Sequence, residues 1–415
     1  MNGLTEQSTV WMSHGDEVVS VPSGFKTIGS TEHVPFAFVA DEEKKIYGVQ
    51  FHPEVEHTEQ GMQILKNFLE IVKSEPLFFE RNASGVEKSD KNSSRFHSNN
   101  TIKEIEEGIK KEVGDAYVIG AVSGGVDSTV AGVLAAQALG DKFVPVFVNN
   151  GLMREGTEEH VKKIFTERDH VKPIVINREG EMLKKLQGIS DPEEKRKVIG
   201  NDYVEIFEQA MDKLLASGRP VKFLLQGTIY SDVIESQGTK HASKIKSHHN
   251  VGGLPEKMKL QLLEPLREFY KDEVREIGHE LGLPDEFIYK QPFPGPGYAV
   301  RIRGEVTKDR LEAEKQADNI VLEELEKANL LKNVFLSFPV MTGAFSTAVK
   351  GDGRQFGEVV CLRVVESKDI MTSTWSRLPY EILQKISSRI VNEVPNVSRV
   401  VYDITTKPPA TMEWE

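Results

Sequence analysis

The sequence predicts an α/β protein centred on a doubly wound parallel sheet, with a shorter α/β block before it and a smaller α+β block after it. Three observations predict this. Apolar runs of strand length alternate with helical stretches between residues 117 and 226, the pattern of successive strand–helix–strand units. The first of these runs passes directly into a glycine-rich turn and then a helix. A polar tract and a Pro/Gly-rich run set this middle block apart from its neighbours.

Residues 1–76 alternate short apolar runs with Gly and His, then end in the amphipathic stretch 58–73. Leu65, Phe68, Leu69 and Val72 fall there at helical spacing. The tract 82–100 is rich in Ser, Asn, Lys and Asp, with Val86 and Phe96 as its only large apolar residues. It cannot bury a core, so residues 77–100 read as a linker or disordered loop. The middle block, 101–301, offers a strand at 117–122, a helix at 128–139, a strand at 143–148 and a helix at 158–168. A strand at 173–176, a helix at 201–217 and a strand at 221–226 continue the series. The last block, 302–415, follows the Pro/Gly run 291–298. It mixes helices at 307–329 and 379–394 with strands at 359–365 and 397–402.

The composition excludes several classes. No apolar stretch approaches the roughly 20 residues that span a bilayer, and Glu6, Asp16 and Glu17 break any signal-peptide pattern. No membrane association is expected. A net charge of −12 provides no global basic field, so nucleic acid is not an expected partner. A single cysteine, Cys361, rules out a disulfide framework and any Cys-rich metal site, and points to a reducing cytosol. Cys361 lies within an apolar strand and reads as a buried structural thiol.

The chemistry concentrates at Ser123-Gly124-Gly125-Val126-Asp127-Ser128-Thr129. Glycines at a strand-to-helix turn let backbone N–H groups approach an anion, and the helix start adds its positive dipole end. Ser123, Ser128 and Thr129 can donate further hydrogen bonds to phosphate oxygens. Asp127 has two readings, a group that orients Mg2+ on pyrophosphate or a helix N-cap. The turn is not a G-x-x-x-x-G-K-[ST] element. It resembles the SGGxDS loop of the N-type ATP pyrophosphatases, an adenine nucleotide alpha hydrolase-like fold. The resemblance implies cleavage of ATP between its α and β phosphates, with Mg2+ accompanying the nucleotide.

Within that superfamily the chain resembles GMP synthetase from Val10 to Glu415. The matching runs are QGTIY at 226–230, KSHHNVGGLP at 246–255, EPLREFYKDEVR at 264–275, QPFPGPGYAVR at 291–301 and VVYDITTKPPATMEWE at 400–415. The resemblance implies ATP-dependent amination of xanthosine monophosphate (XMP) to GMP through an adenyl-XMP intermediate. It also implies an XMP site at Arg196, Gln316, Asp352, Lys407 and Glu413, and a homodimer formed through the C-terminal domain. Lys240, Lys244 and Lys246 belong to a basic stretch that reads either as a solvated loop or, in the family, as a lid over the nucleotide. Two other readings remain, another adenylating amidase such as NAD synthetase, or a non-catalytic nucleotide-binding relic.

Residues 10–72 resemble the C-terminal part of a class I glutamine amidotransferase, on Ser13-His14-Gly15-Asp16 and on GVQFHPE at 48–54. His52 and Glu54 match the last two members of that family's Cys–His–Glu triad. No cysteine precedes His52. The expectation is a partial amidotransferase domain that begins inside the family's domain, exposes apolar surface, and leaves the enzyme dependent on ammonia rather than glutamine.

Overall fold

The computed structural model describes residues 2–12, 16–55, 57–73, 98–236, 260–350, 353–367 and 372–415. They form two compact units. Of the described residues, one takes in those up to 73 with 365–367, 372–376 and 404–412, and the other those from 98 to 364 with 377–403 and 413–415.

In the first unit, Lys26–Gly29 (β1), Phe38–Asp41 (β2) and Ile46–Val49 (β3) form an antiparallel sheet in that order. Asp41 sets the turn from β2 to β3 by accepting from the Lys44 backbone N–H at 3.0 Å and its ammonium at 2.9 Å. Helix Gly61–Lys73 (α1) follows. Phe38, Ala40, Phe51 and Val55 are buried, whereas Val19, Met62, Phe68 and Leu69 are exposed. The helical stripe read from the sequence is therefore only partly covered: three four-residue strands are too short to bury it.

The second unit opens with Ser98–Val113 (α2), so helix begins inside the tract expected to be linker. Tyr117–Ala121 (β4), Val126–Leu139 (α3) and Phe143–Asn149 (β5) come next. Thr157–Lys162 (α4) runs into a π-helical turn at Lys163–Arg168 and then Ile174–Asn177 (β6). Glu179–Leu186 (α5), Pro192–Ala216 (α6), Val221–Leu225 (β7) and Tyr230–Ser236 (α7) lead to Gln261–Leu263 (β8). Lys271–Glu280 (α8) and Asp285–Ile288 (α9) close the middle block. Helix α6 starts well before the expected residue 201, because Pro192 occupies its first turn and Asp191 caps it by accepting from the Glu194 N–H at 2.9 Å.

All four strand pairings in this sheet are parallel, in the order β6-β5-β4-β7-β8. Alternation along β5 explains the double layering. Phe143 and Phe147 pack with Val130, Leu134 and Ile277 of α3 and α8. Val144, Val146 and Val148 pack with Ile206, Ala210 and Leu214 of α6 on the opposite face.

The last block contributes Lys308–Lys327 (α10), Leu336–Lys350 (β9), Gly353–Glu366 (β10), Thr374–Trp375 (β11), Tyr380–Glu393 (α11) and Val397–Tyr402 (β12). Strand β10 pairs with β9 and runs parallel to β12. Its last residues, Val365 and Glu366, pair antiparallel with β11 and belong to the first unit. Leu152, Met182 and Ile199 of the middle block share a core with Ile302, Leu311, Val321, Val360 and Ile386. Residues 101–301 and the greater part of 302–415 thus pack as one unit. Among the described residues no helix is long and apolar enough to cross a membrane.

Candidate active site

Strand β4 lies at the topological switch of its sheet: α3 carries the chain to β5 on one side, and β7 later arrives on the other. Ligands of open α/β sheets bind beyond the carboxyl ends of the strands at such a point, and the loop 123–129 occupies that position on β4. Gly124 adopts φ +77°, and a Cβ there would come within 2.6 Å of the Thr157 methyl. Gly227, just after β7, lies against the loop from beneath. A Cβ on it would sit 2.8 Å from the Asp127 carbonyl carbon and the Ser128 nitrogen. The Ser123 and Ser128 hydroxyls are 2.9 Å apart, and Ser128 Oγ donates to the Gly125 carbonyl at 3.1 Å. Val126 and Thr129 are buried. Of the three hydroxyls expected to face a phosphate, those of Ser123 and Ser128 are on the accessible side and Thr129 faces the core.

Asp127 is not an N-cap. Gly125 occupies the cap of α3 with no side-chain cap bond, and Asp127 lies inside the first turn. Its Oδ2 accepts from Lys271 Nζ at 2.5 Å, while its Oδ1 is buried without a hydrogen-bond partner. Three more such orphaned atoms lie beyond the ends of β7 and β8: Gln226 Oε1, Thr228 Oγ1 and Glu264 Oε1. Buried polar atoms are rarely left unpaired, so four at one end of a sheet mark where a polar ligand completes the structure. Gln226 and Thr228 fall in the run 226–230, and Glu264 and Lys271 in the run 264–275; neither run carries a local pattern that gives these residues a role. Lys271 acts across 144 residues of sequence, beyond the reach of any local pattern.

Lys290, which precedes the Pro/Gly run, is half-buried. Desolvation, with Arg154 nearby as a lesser cause, pushes its ammonium down to about 8. The unfolded chain therefore binds more protons here between pH 8 and 10.5, so stability at this residue rises with pH across that window. Below pH 8 the full cost of the buried charge is present. Lys290→Met is expected to stabilise the protein at pH 7 by about 2–3 kcal/mol, at about 1.4 kcal/mol per unit. Thermal melts from pH 7 to 10.5 should show that gain fading; a pH-independent difference would rule out the mechanism.

A second cluster surrounds the chain's last residues. Arg301 is fully buried and grips Glu413 with two bonds of 3.1 Å each. Lys195, also fully buried, donates to Glu415 Oε2 at 2.7 Å and to the carbonyls of Ala299 and Ile302. Arg196 bonds the Glu415 carbonyl and Glu193. Of the expected XMP residues, Arg196 and Glu413 thus share a neighbourhood. Gln316 is exposed on α10, and at about 100° per residue it lies across the helix from buried Glu314 and Asp318. Lys407 belongs to the first unit, where its backbone pairs with Ser373 at 2.9 and 3.0 Å. Asp352 and the lid candidates Lys240, Lys244 and Lys246 lie outside the described residues.

In the first unit, His52 Nδ1 and Glu54 Oε1 are 2.9 Å apart, each side chain a little under half exposed. The Trp11 carbonyl accepts from the His52 N–H at 2.9 Å, and the Thr58 hydroxyl donates to the His52 carbonyl at 2.6 Å. This is the spacing expected of the histidine–carboxylate half of a triad. Ser13, His14 and Gly15 lie outside the described residues. Cys361 is buried in the second unit, and burial pushes its thiol up to about 12, which disfavours the reactive thiolate.

Comparison with known proteins matches three family descriptions: glutamine amidotransferase class-I over residues 1–72, NAD synthase over 98–198, and the GMP synthase C terminal domain over 323–414. Among curated relatives, a glutamine-hydrolyzing GMP synthase from a Nitratiruptor species is 48% identical over 414 residues. The match covers 100% of this chain and 76% of the relative. The protein of the same name from Aquifex aeolicus is 49% identical, covering 100% of this chain and 77% of its own length. Among solved structures, an NH3-dependent NAD synthetase from Campylobacter jejuni shares 15% identity at a TM-score of 0.35, over 56% of this chain and 91% of that one; so distant a likeness supports no inference. With near-complete coverage at almost half identity, the chain belongs to the glutamine-hydrolysing GMP synthase family, a family of ligases.

Proposed function

We infer that this protein adenylates XMP at the loop 123–129 and then aminates it to GMP with ammonia. The observation that carries the reading is the loop at the sheet's switch point, which holds one orphaned buried oxygen, with three more orphaned polar atoms beyond the ends of β7 and β8. In the first step the XMP C2 oxygen attacks the α phosphorus of ATP. The bond to the bridging α–β oxygen breaks, and pyrophosphate leaves. N–H groups of the first turn of α3, together with Ser123, Ser128 and Lys271, hold that pyrophosphate. In the second step ammonia attacks C2, the C2–O bond to AMP breaks, and a proton is lost to give GMP.

Mg2+ fits this site as a companion of ATP rather than as a resident ion. Among the described residues no group of three or more His, Cys, Asp or Glu could cage a metal. Mg2+ ordinarily takes one or two carboxylates plus substrate phosphates, and the orphaned Asp127 Oδ1 suits that role. When bound it neutralises the phosphates; Asp127 orients them and Lys271 adds positive charge. Arg196 and Lys407 are assigned to the XMP phosphate, and Glu413, Gln316 and Asp352 to its sugar and base. The reading extends to a cytosolic homodimer, in which contact between C-terminal segments would cover the exposed, stacked pair Phe345 and Phe356, 5.5 Å apart.

With XMP, Mg-ATP and ammonium the protein is expected to make GMP and pyrophosphate. No pyrophosphate release in the presence of XMP would leave only a nucleotide-binding relic.

A further inference from the structure

Two buried arginines stand between the phosphate loop and the C-terminal residues, and the reaction written above uses neither. Arg154 lies in the turn after β5. Its carbonyl accepts from the Thr157 hydroxyl at 2.7 Å, and the Thr157 methyl is the group against which Gly124 is packed. The Arg154 guanidinium forks onto Asp318 of α10, Nε to Oδ2 at 2.7 Å and Nη2 to Oδ1 at 3.0 Å. Asp318 also accepts from the Tyr298 hydroxyl at 2.9 Å and faces Arg301 Nη1 at 3.8 Å. Arg301 completes the chain by gripping Glu413. Phe293 fills the space between the two guanidinium groups, 5.0 Å from Arg154 and 4.7 Å from Arg301.

Stability alone is a poor account of such a chain. Buried ion pairs rarely outperform well-packed apolar residues of similar volume, whereas removing one partner is strongly destabilising. The two guanidinium groups face Asp318 and Glu413, and Glu413 is the partner that Arg301 grips with two bonds. If Glu413 departs, Arg301 loses that grip and Asp318, at 3.8 Å, is the carboxylate it already faces. Asp318 cannot close the 3.8 Å gap without loosening its fork on Arg154, and Arg154 sits beneath the wall of the phosphate loop.

We propose that Arg154, Asp318 and Arg301 form a positioning relay through which seating of Glu413 sets the loop 123–129 for ATP, and through which bound ATP holds Glu413 in place. The relay rests on the assignment of ATP to that loop. Coupling between two sites is reciprocal, so it can be read from either end without turnover.

Trp414, next to Glu413, bonds Asp403 through its indole N–H at 2.9 Å and is partly exposed. With Trp11 and Trp375 replaced by Phe in the full chain, Trp414 is the sole tryptophan. Mg-ATP would be titrated without XMP, reading Trp414 emission and anisotropy alongside direct binding of radiolabelled ATP by equilibrium dialysis. The expected result is a Trp414 response that tracks ATP binding. Asp318→Asn should abolish the response and weaken ATP binding on the order of 10-fold, within the usual range of coupling. Glu413→Gln should weaken ATP binding equally, and the double variant no further. Should Asp318→Asn fail to fold, Arg154→Lys, which keeps the charge but loses the fork, is expected to silence Trp414 in the same way. ATP binding with Trp414 silent in the parent chain, or effects of Glu413→Gln and Asp318→Asn that multiply, would overturn the relay. Failure of the parent chain to bind Mg-ATP at all would instead overturn the assignment of the loop, and the relay with it.

Discussion

Asp127→Asn is expected to fold normally and to slow XMP-dependent pyrophosphate release on the order of 100- to 1000-fold, the scale of losing one preorganised charge contact in a catalytic site. The substitution keeps the shape of the side chain and removes its charge. That charge has one partner, Lys271 at 2.5 Å, and one oxygen buried with none. Both side chains are about one quarter exposed, so losing the pair should cost little stability and the melting temperature should barely move. The loss belongs to the reaction, because the orphaned oxygen is the group available to a phosphate-bound cation. Pyrophosphate measured by a coupled assay, beside a thermal melt, decides the matter. Turnover within threefold of the parent would remove Asp127 from the mechanism.

Gly297→Ala acts on the scaffold instead and should lower the melting temperature on the order of 10 °C. Gly297 holds φ +63°, and a Cβ built there lies 2.2 Å from the Leu152 carbonyl oxygen. The Leu152 carbonyl already accepts from the Tyr298 N–H at 2.8 Å, so it cannot retreat without breaking that bond. Left-handed backbone costs a residue with a Cβ roughly 1–2 kcal/mol, and overpacking adds roughly 1–3 kcal/mol. At about 2 °C per kcal/mol, the lower end of the range for large domains, the sum is readily seen by calorimetry. A shift under 2 °C would mean that the 291–298 run moves freely against the β5 turn.

What could be read from the sequence depends on the range of the interactions concerned. Strand β4, its glycine loop and α3 are consecutive, and each carries a local signal: a buried apolar run, small residues at a turn, a helix apolar on all sides. The long strand β9 carries contrary signals, because Pro339 and Gly343 both read as breakers. Gly343 does take φ +72°, and the ladder tolerates it while its N–H donates to Glu358 at 2.7 Å. The His52–Glu54 couple is two residues apart and legible for that reason. Arg154 and Asp318 are 164 residues apart, Arg301 and Glu413 are 112 apart, and no periodicity announces such pairs. Arg196, read from sequence as either a surface residue or a phosphate ligand, proves to be engaged by the backbone of Glu415.

The chain's only thiol also has a practical meaning. Cys361 sits in the middle of β10, 2% exposed, with its ionisation pushed up to about 12. Alkylating reagents act on the thiolate, so in the native protein at neutral pH the group is hidden both sterically and chemically. Once the sheet opens, its reactivity returns to that of an ordinary cysteine. One mass increment per molecule would then count unfolding of the unit that holds the phosphate loop, a stopwatch already built into the wild-type chain.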